Sequence, residues 1–321
     1  MLNALRTQTV ALLGGSGLVG RALANALETA GVPTRVLTRS RENARALWPL
    51  PHVDCIELDY FDAAALARGL AGCTALVNLV GILNEQRDDG RGFKRAHVTL
   101  TQAALAACQM SGVATYVMLS ALNAAPQAAS HYLRTKGHAE MLVGVAQLRT
   151  IILRPSVIFG PGDGLFTRFA QLIRWLPLLP LAGANTRFQP VYVGDVARAV
   201  LQCLDSFILP HRLCLDLGGP QILTLREIVE YTRAHTGRHC SIVGLPASLA
   251  RLQAELCEHL PGKPFSRDNW RSLQRDSIVS EIDGLAYLQI LATPLEAVVP
   301  LQLAASARHL AYAKFRQRAG R

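Results

Sequence analysis

The chain has 321 residues, half of them hydrophobic and few aromatic, enough for one large domain or a large domain with a smaller lobe. Its formal charge of +10, carried mainly by arginine, suits an anionic cofactor, an acidic partner or anionic lipid, while no basic-aromatic module for nucleic acid accompanies it. Seven scattered cysteines without C-x-x-C or paired histidine spacing argue against a disulfide framework and a zinc site, and no apolar run reaches the ~18–20 residues of a membrane span.

The opening "MLNALRTQTVALLGGSG" is too short in its apolar part for a signal peptide and runs directly into a glycine loop. A cytoplasmic protein is expected, or one held peripherally on the cytoplasmic face of a membrane. "TVALLG" (9–14) is a short apolar run ending in glycine and predicts a buried parallel strand. "LVGRALANALETAG" (18–31) carries apolar residues at helical spacing and stops at Gly31. Strands follow at 34–39, 75–81, 115–121 and 149–155, with helices between them such as 99–113 and 133–145. This alternation predicts an α/β fold with a doubly wound parallel sheet.

Beyond Pro155 the pattern loosens into glycine and proline turns around an apolar helix. It then returns as a strand (190–193), a helix opened by Asp195 as N-cap, and a strand at 212–219. Residues 1–160 read as the dinucleotide domain, with return segments near 188–218. Residues 161–187 and 219–321 read as a smaller, mostly helical lobe over the carboxyl edge of the sheet, where ligands bind in such folds.

Gly14, Gly17 and Gly20 stand between a strand and a helix, spaced for a tight turn, for approach to a pyrophosphate and for close helix–strand packing. Ser16, Leu18 and Val19 belong to the same loop and helix start, whose free N–H groups favour phosphate. A glycine turn without a ligand is the bland alternative. The second strand ends in Thr38, Arg39, Ser40 and Arg41 rather than an acid. Arg39 there suits a 2′-phosphate, favouring NADP(H) over NAD(H), unless the loop is only a solvated basic stretch. Asp59 follows a third strand and either accepts from an adenine amine or caps the helix near Asp62. Gly81 lets a strand end pass the nicotinamide ribose.

"HYLRTKGHAE" puts Tyr132 and Lys136 one helical turn apart on one face. A nearby ammonium lowers a phenol's pKa toward the working range, and it can hold ribose hydroxyls as well. Ser120, at a strand end twelve residues before Tyr132, offers a hydroxyl to a substrate carbonyl. Such a Tyr–Lys pair is weak evidence alone; with the glycine loop and the strand-end serine it becomes strong.

"GGSGLVG", "YLRTK" and "LRPSVIFGPGD" resemble the short-chain dehydrogenase/reductase superfamily in its extended and atypical branch. "SALNAAP", "SHYLRTKGHAE", "QPVYVGDVA" and "LPASLARLQAELCEHLPGKPFSRDNWRSL" narrow this. They are similar to the nucleotide-binding accessory subunits of respiratory complex I and their bacterial relatives, over nearly the whole chain. The resemblance implies a Rossmann domain, a helical lobe and bound NADPH, with a structural role in the mitochondrial members. It implies that Gly14, Gly17, Gly20 and Arg39 hold the phosphates, with Pro155 among the cofactor contacts, and that Ser120, Tyr132 and Lys136 occupy catalytic positions. "NLVG" departs from the Asn-Asn-Ala-Gly of the short enzymes.

Three functions follow as expectations: a complex I accessory-like binder of NADP(H); a reductase or epimerase/dehydratase acting on a small carbonyl or sugar-like substrate; and docking to a membrane or complex. The last rests on the apolar stretch 172–182 and on Arg308, Lys314, Arg316, Arg318 and Arg321 of the tail. Its alternative is that 172–182 packs as core. His131 and His138, beside the Tyr–Lys pair, either tune its field or are surface histidines, the latter being the favoured expectation.

Overall fold

Short apolar runs that end in turn residues form the central strands: β1 (Thr9–Leu13), β2 (Thr34–Thr38), β3 (Val53–Glu57), β4 (Cys73–Asn78), β5 (Thr115–Leu119), β6 (Arg149–Pro155) and β7 (Arg212–Leu217). The computed structural model describes residues 5–205, 209–260, 263–280 and 282–305. The strands make one parallel sheet in the order β7-β6-β5-β4-β1-β2-β3. Chain order therefore reverses between β1 and β4, the switch point outside which such sheets bind ligands. In register, Leu13 pairs with Leu37 and Asn78, Asn78 with Met118, and Leu119 with Leu153, so the carboxyl ends form one edge.

Helices cover both faces, as a sheet buried on two sides requires. α1 (Leu18–Ala30) buries Val19, Leu23 and Leu27 along one stripe and stops at Gly31. It shares one core with α6 (Val193–Asp205) through Val196, Ala199, Val200 and Cys203. On the other face α2 (Ala63–Gly69), α3 (Leu100–Ser111) and α4 (His131–Gly144) close over Leu13, Leu76, Tyr116 and Met118. The expected doubly wound sheet is present.

The C-terminal part adds α5 (Phe166–Trp175), α7 (Leu225–Ala234), α8 (Ala247–Glu258) and α9 (Arg267–Ser272). It also adds a two-stranded parallel pair, Leu178–Leu181 with Ser241–Gly244. A capping box between Thr224 and Glu227 starts α7. Two small cores serve this part, one around Phe159, Phe166 and Ile228 and one around Ile173, Leu179 and Val229. The chain then returns to the sheet, where Leu285, Leu288 and Ile290 join the α1/α6 core.

Two local expectations are corrected. Asp195 is not an N-cap: α6 already begins at Val193, and the fully buried Asp195 carboxylate accepts from Thr293 N–H (2.6 Å) and Oγ1 (2.8 Å) and pairs with Arg198 (2.5 Å). The 172–182 stretch is not all core. Ile173, Leu179 and Leu181 are buried, but Trp175, Leu176 and Leu178 are exposed. The basic tail from Arg308 to Arg321 lies outside the described residues. Among the described residues no helix is long and apolar enough to cross a membrane.

Candidate functional site

The glycine turn closes directly on the switch point. Gly14 has φ +79°, and a Cβ there would lie 3.1 Å from Leu79 C and Val80 N, at the end of β4. A Cβ on Gly20 would lie 2.4 Å from Gly15 Cα and 2.5 Å from Gly14 O, so backbone itself fills the space and no side chain fits. Gly17 N–H donates to Gly14 O (3.0 Å), and the helical bond of Arg21 N–H to Gly17 O follows (3.0 Å). The amides of Leu18, Val19 and Gly20 precede it at the positive end of α1, where no side chain caps them. Ser16 and Leu18 are half-buried and Gly17 exposed, whereas the Val19 side chain sits in the core and can serve a phosphate only through its amide.

Sequence reading missed Arg21. Its Nη1 donates to Ser16 O (2.7 Å), which puts a guanidinium against the loop that the N–H groups already make attractive to anions. An arginine directly after the third glycine was the available signal.

Farther along the edge, Arg39 is exposed with its guanidinium carbon 5.8 Å from the Tyr60 ring centre, and Arg41 is exposed beside it. The carboxylate at this corner is Glu57 at the end of β3, which accepts from Arg41 N–H (2.9 Å). Asp59 is exposed and accepts from Phe61 N–H in its own turn (3.0 Å). It does not cap α2; Asp62 does, accepting from Ala64 and Ala65 N–H.

At the other end Lys136 is 3% exposed and joins two strand ends, donating to Leu119 O (2.8 Å) and Val80 O (3.2 Å). Burial lowers its pKa from 10.5 to about 8, against an opposing pull from Glu140. Gly81 adjoins it: a Cβ there would lie 3.7 Å from the ammonium. Ser120 N–H donates to Leu153 O (2.7 Å), while its buried Oγ has no hydrogen-bond partner among the described residues. Pro155, buried at the end of β6, accepts from Leu122 N–H (3.1 Å). Gly14, Gly81, Lys136, Ser120 and Pro155 thus line one edge, whereas Arg39 and Asp59 stand at its far corner.

Tyr132 departs from expectation. Its ring packs edge-on against His97 (5.5 Å) and Phe93 (6.0 Å), and burial raises its pKa to about 12 with no lowering contribution from Lys136. The ammonium serves the backbone carbonyls instead. In this conformation Lys136 ties two strand ends together, and burial holds the Tyr132 phenol in its neutral form.

The helix that carries the pair is held from three sides. Gly137 lets the 120s loop lie on it: a Cβ there would meet Ala125 C at 2.3 Å. His97, in the π-turn Arg95–Thr99 that leads into α3, bonds Thr135 Oγ1 through Nδ1 (2.9 Å) and lies 3.5 Å through Nε2 from Ile82 N–H. Thr135 sends its own proton to His131 O (2.8 Å), so Nδ1–H is the donor and Nε2 the acceptor. Burial, and then the charge of Lys136, push the imidazole pKa down to about 2 and keep it neutral.

The third hold comes from α9. Asp268, 3% exposed, accepts from Ser130 Oγ (2.9 Å), His131 N–H (2.5 Å) and Tyr132 N–H (3.1 Å), supplying an anion to the start of α4. Arg271 forks onto Asp88 (2.7 and 2.8 Å), and Arg267 pairs with Glu258 (2.6 Å) and Asp88 (3.3 Å). Lys263 Nζ donates to Glu85 O (2.7 Å), so the loop after Gly81 is tied to the same segment. His131 Nε2 lies 3.9 Å from Asp88 and is half-buried within this latch rather than on open surface. His138 is exposed and meets Pro126 O (3.2 Å). Asp88, His131 and Asp268 lie close enough to share a metal ion, but arginines already occupy the carboxylates. Nothing in the local sequence pairs position 268 with 130–132, which is why sequence reading missed it.

A parallel sheet that reverses at a glycine turn, with a buried lysine and an unpartnered serine hydroxyl on that edge, defines a Rossmann-type dinucleotide domain, and the cradle fits a dinucleotide. Residues 10–210 match the NAD dependent epimerase/dehydratase family, and the chain belongs to it. It is an NAD(P)-binding member of the atypical short-chain dehydrogenase/reductases. The mitochondrial "NADH dehydrogenase [ubiquinone] 1 alpha subcomplex subunit 9" of Arabidopsis thaliana is 28% identical, covering 84% of this chain and 70% of its own. A ceramide reductase of Caulobacter vibrioides is 30% identical over 59% of this chain and 58% of its own. Among solved structures, the NADPH-dependent quinone oxidoreductase QOR2 of Escherichia coli, complexed with NADPH, superposes with a TM-score of 0.71 at 16% identity, covering 94% of this chain and 99% of its own.

Proposed function

We propose that the protein holds NADP(H) as a complex I accessory-type subunit, in which the dinucleotide stabilises the fold or reports redox state. The observation that carries this reading is the commitment of Lys136 to Leu119 O and Val80 O, with Tyr132 left a neutral phenol near pKa 12. A lysine so held is preorganised to donate to ribose hydroxyls and does nothing to activate the tyrosine. Gly14, Gly17, Gly20 and the amides of Ser16, Leu18 and Val19 would hold the pyrophosphate, with Arg21 beside them. Gly81 and Pro155 would flank the nicotinamide ribose. Arg39 would take the 2′-phosphate, which selects NADP(H) over NAD(H), and Asp59 is free to meet the adenine. Bound cofactor stabilises the native state by mass action without turnover. The 28% identity to complex I subunits supports the partner class, and the same reading sets the protein peripherally at the cytoplasmic face of a membrane. As a working division, 1–160 with 188–218 holds the nucleotide and the remainder faces the partner.

The unpartnered Ser120 hydroxyl supports a second reading as a reductase. The bound nicotinamide would supply the hydride. Ser120 Oγ–H would orient a substrate carbonyl, Tyr132 Oη would give the proton, and Lys136 would hold the ribose. A ceramide reductase and a Stigmatella aurantiaca ketoreductase (28% identical, 80% of its length) stand among the relatives.

The test is to purify the protein, read absorbance in the reduced-nicotinamide band, and add a panel of carbonyl compounds to wild type and Tyr132→Phe. Cofactor that co-purifies and stays reduced supports the accessory role. Oxidation in wild type alone supports the reductase. A protein that binds no dinucleotide overturns both.

A further inference from the structure

We propose that one face of the C-terminal lobe docks on an anionic lipid bilayer. The face joins the end of α5, the outer side of the 178–181/241–244 pair and α8. On α8, Ala250, Ala254 and Glu258 turn inward, while Leu249, Leu252 and Leu256, spaced three and four apart along one side, are 49–62% exposed, and Leu260, just past the helix end, is 51% exposed. Gln253 Nε2 donates to Pro180 O (2.9 Å) and ties α8 to the strand pair. There Leu178 and Val243 share the outward surface, since Leu178 pairs with Ser241 and Val243 with Pro180, whereas Leu179 and Leu181 face the core. Trp175, 82% exposed, ends α5 three residues before Leu178. Single exposed leucines are ordinary, but an aligned stripe rimmed by polar groups marks an interaction surface.

Charge selects the occupant. Arg168, Arg174, Arg238 and Arg251 lie on or beside these elements and have no carboxylate partner among the described residues, whereas Arg267 engages Glu258 and lies near Glu255, the acids of α8. Arginines without a carboxylate partner beside leucine and tryptophan match a surface resting among anionic phosphate headgroups, where the guanidinium meets phosphate while the apolar side chains enter the acyl boundary. This rests on the peripheral setting proposed above, but not on the cofactor.

Flotation tests it with the full chain, on vesicles of phosphatidylcholine alone and of equimolar phosphatidylcholine and phosphatidylglycerol. Wild type is expected to float with the mixed vesicles and not with phosphatidylcholine. Leu252→Ser/Leu256→Ser should lower partitioning about tenfold or more, and Arg174→Gln and Arg251→Gln about fivefold each. All four positions except Arg174 are exposed, and unchanged melting temperatures would show that the folds persist. The proposal is overturned if wild type stays with the heavy fractions, or if the leucine variant floats as wild type does, which would mean charge alone binds. It is equally overturned if size exclusion finds a dimer that the leucine variant dissociates and vesicles do not compete. Dinucleotide content of the same fractions reports on the nucleotide reading separately.

Discussion

Asp268→Ala removes an anion that reaches from α9 to the first turn of α4. Three donors lose their acceptor together: Ser130 Oγ, His131 N–H and Tyr132 N–H. The carboxylate is 3% exposed and Ser130 1%, so water does not readily replace it. Arg271 keeps its fork on Asp88 but loses its second carboxylate, Asp268 at 3.5 Å, so the loss falls on the helix start and on one arm of the latch. Breaking a buried charge-assisted set costs ~3–5 kcal/mol. Asp268→Asn keeps acceptor oxygen but no charge and should cost about 1–2 kcal/mol, in the range of a lost N-cap. Urea unfolding followed by tryptophan fluorescence reads both, with the midpoint moving at constant slope. Because Tyr132 and Lys136 lie on this turn and the next, dinucleotide affinity, titrated by nicotinamide fluorescence, should fall about tenfold in the alanine variant, a coupling of ~1.4 kcal/mol. A loss below about 1 kcal/mol with unchanged affinity would refute the view that α9 positions the site helix.

Gly20→Ala drives a methyl into Gly15 Cα and Gly14 O; it should cost ~1–3 kcal/mol and abolish dinucleotide binding, and a variant that still binds would show that the cradle is not needed. Arg39→Glu should weaken NADP(H) binding at least about tenfold and leave NAD(H) binding nearly unchanged, read by parallel titrations; equal losses would remove the 2′-phosphate assignment. Lys136 has its pKa lowered by burial from 10.5 to about 8, so the unfolded chain binds more protons between those values and this residue adds stability as pH rises from about 8 to 10.5, up to ~3 kcal/mol. Wild type compared with Lys136→Met across that range isolates the effect, and parallel curves would contradict it. Burial opposes ionisation of Asp88, but the bonds and charge of Arg271 prevail and hold its pKa below 3.8. Its stabilisation is therefore full above that value and lost as pH falls through the lowered one. Acid unfolding should come earlier in wild type than in an Asp88→Asn/Arg271→Gln pair measured relative to its own neutral stability.

The sheet, its helices and the glycine turn could be read from sequence because their determinants are local: apolar period, chain-breaking glycines and a strand-loop-helix order that only one compact arrangement satisfies. Tyr132 and Lys136 were found by their one-turn spacing. The state of that pair was not legible. Whether an ammonium faces a phenol or two carbonyls depends on how β4 and β5 end beside α4, and whether the phenol is neutral depends on Phe93 and His97 from a distant turn. Asp195 looked like a cap because its residue type favours one, yet Thr293, almost a hundred positions on, claims its carboxylate. Asp268 gave no signal at all. Its meaning comes from contact with 130–132, across more than a hundred residues of chain, and such pairings exist only once the lobe has packed. Periodicity therefore determined the scaffold and the cofactor cradle, while tertiary packing alone decided which charges the site keeps, because burial and partners rather than spacing set a side chain's protonation and direction.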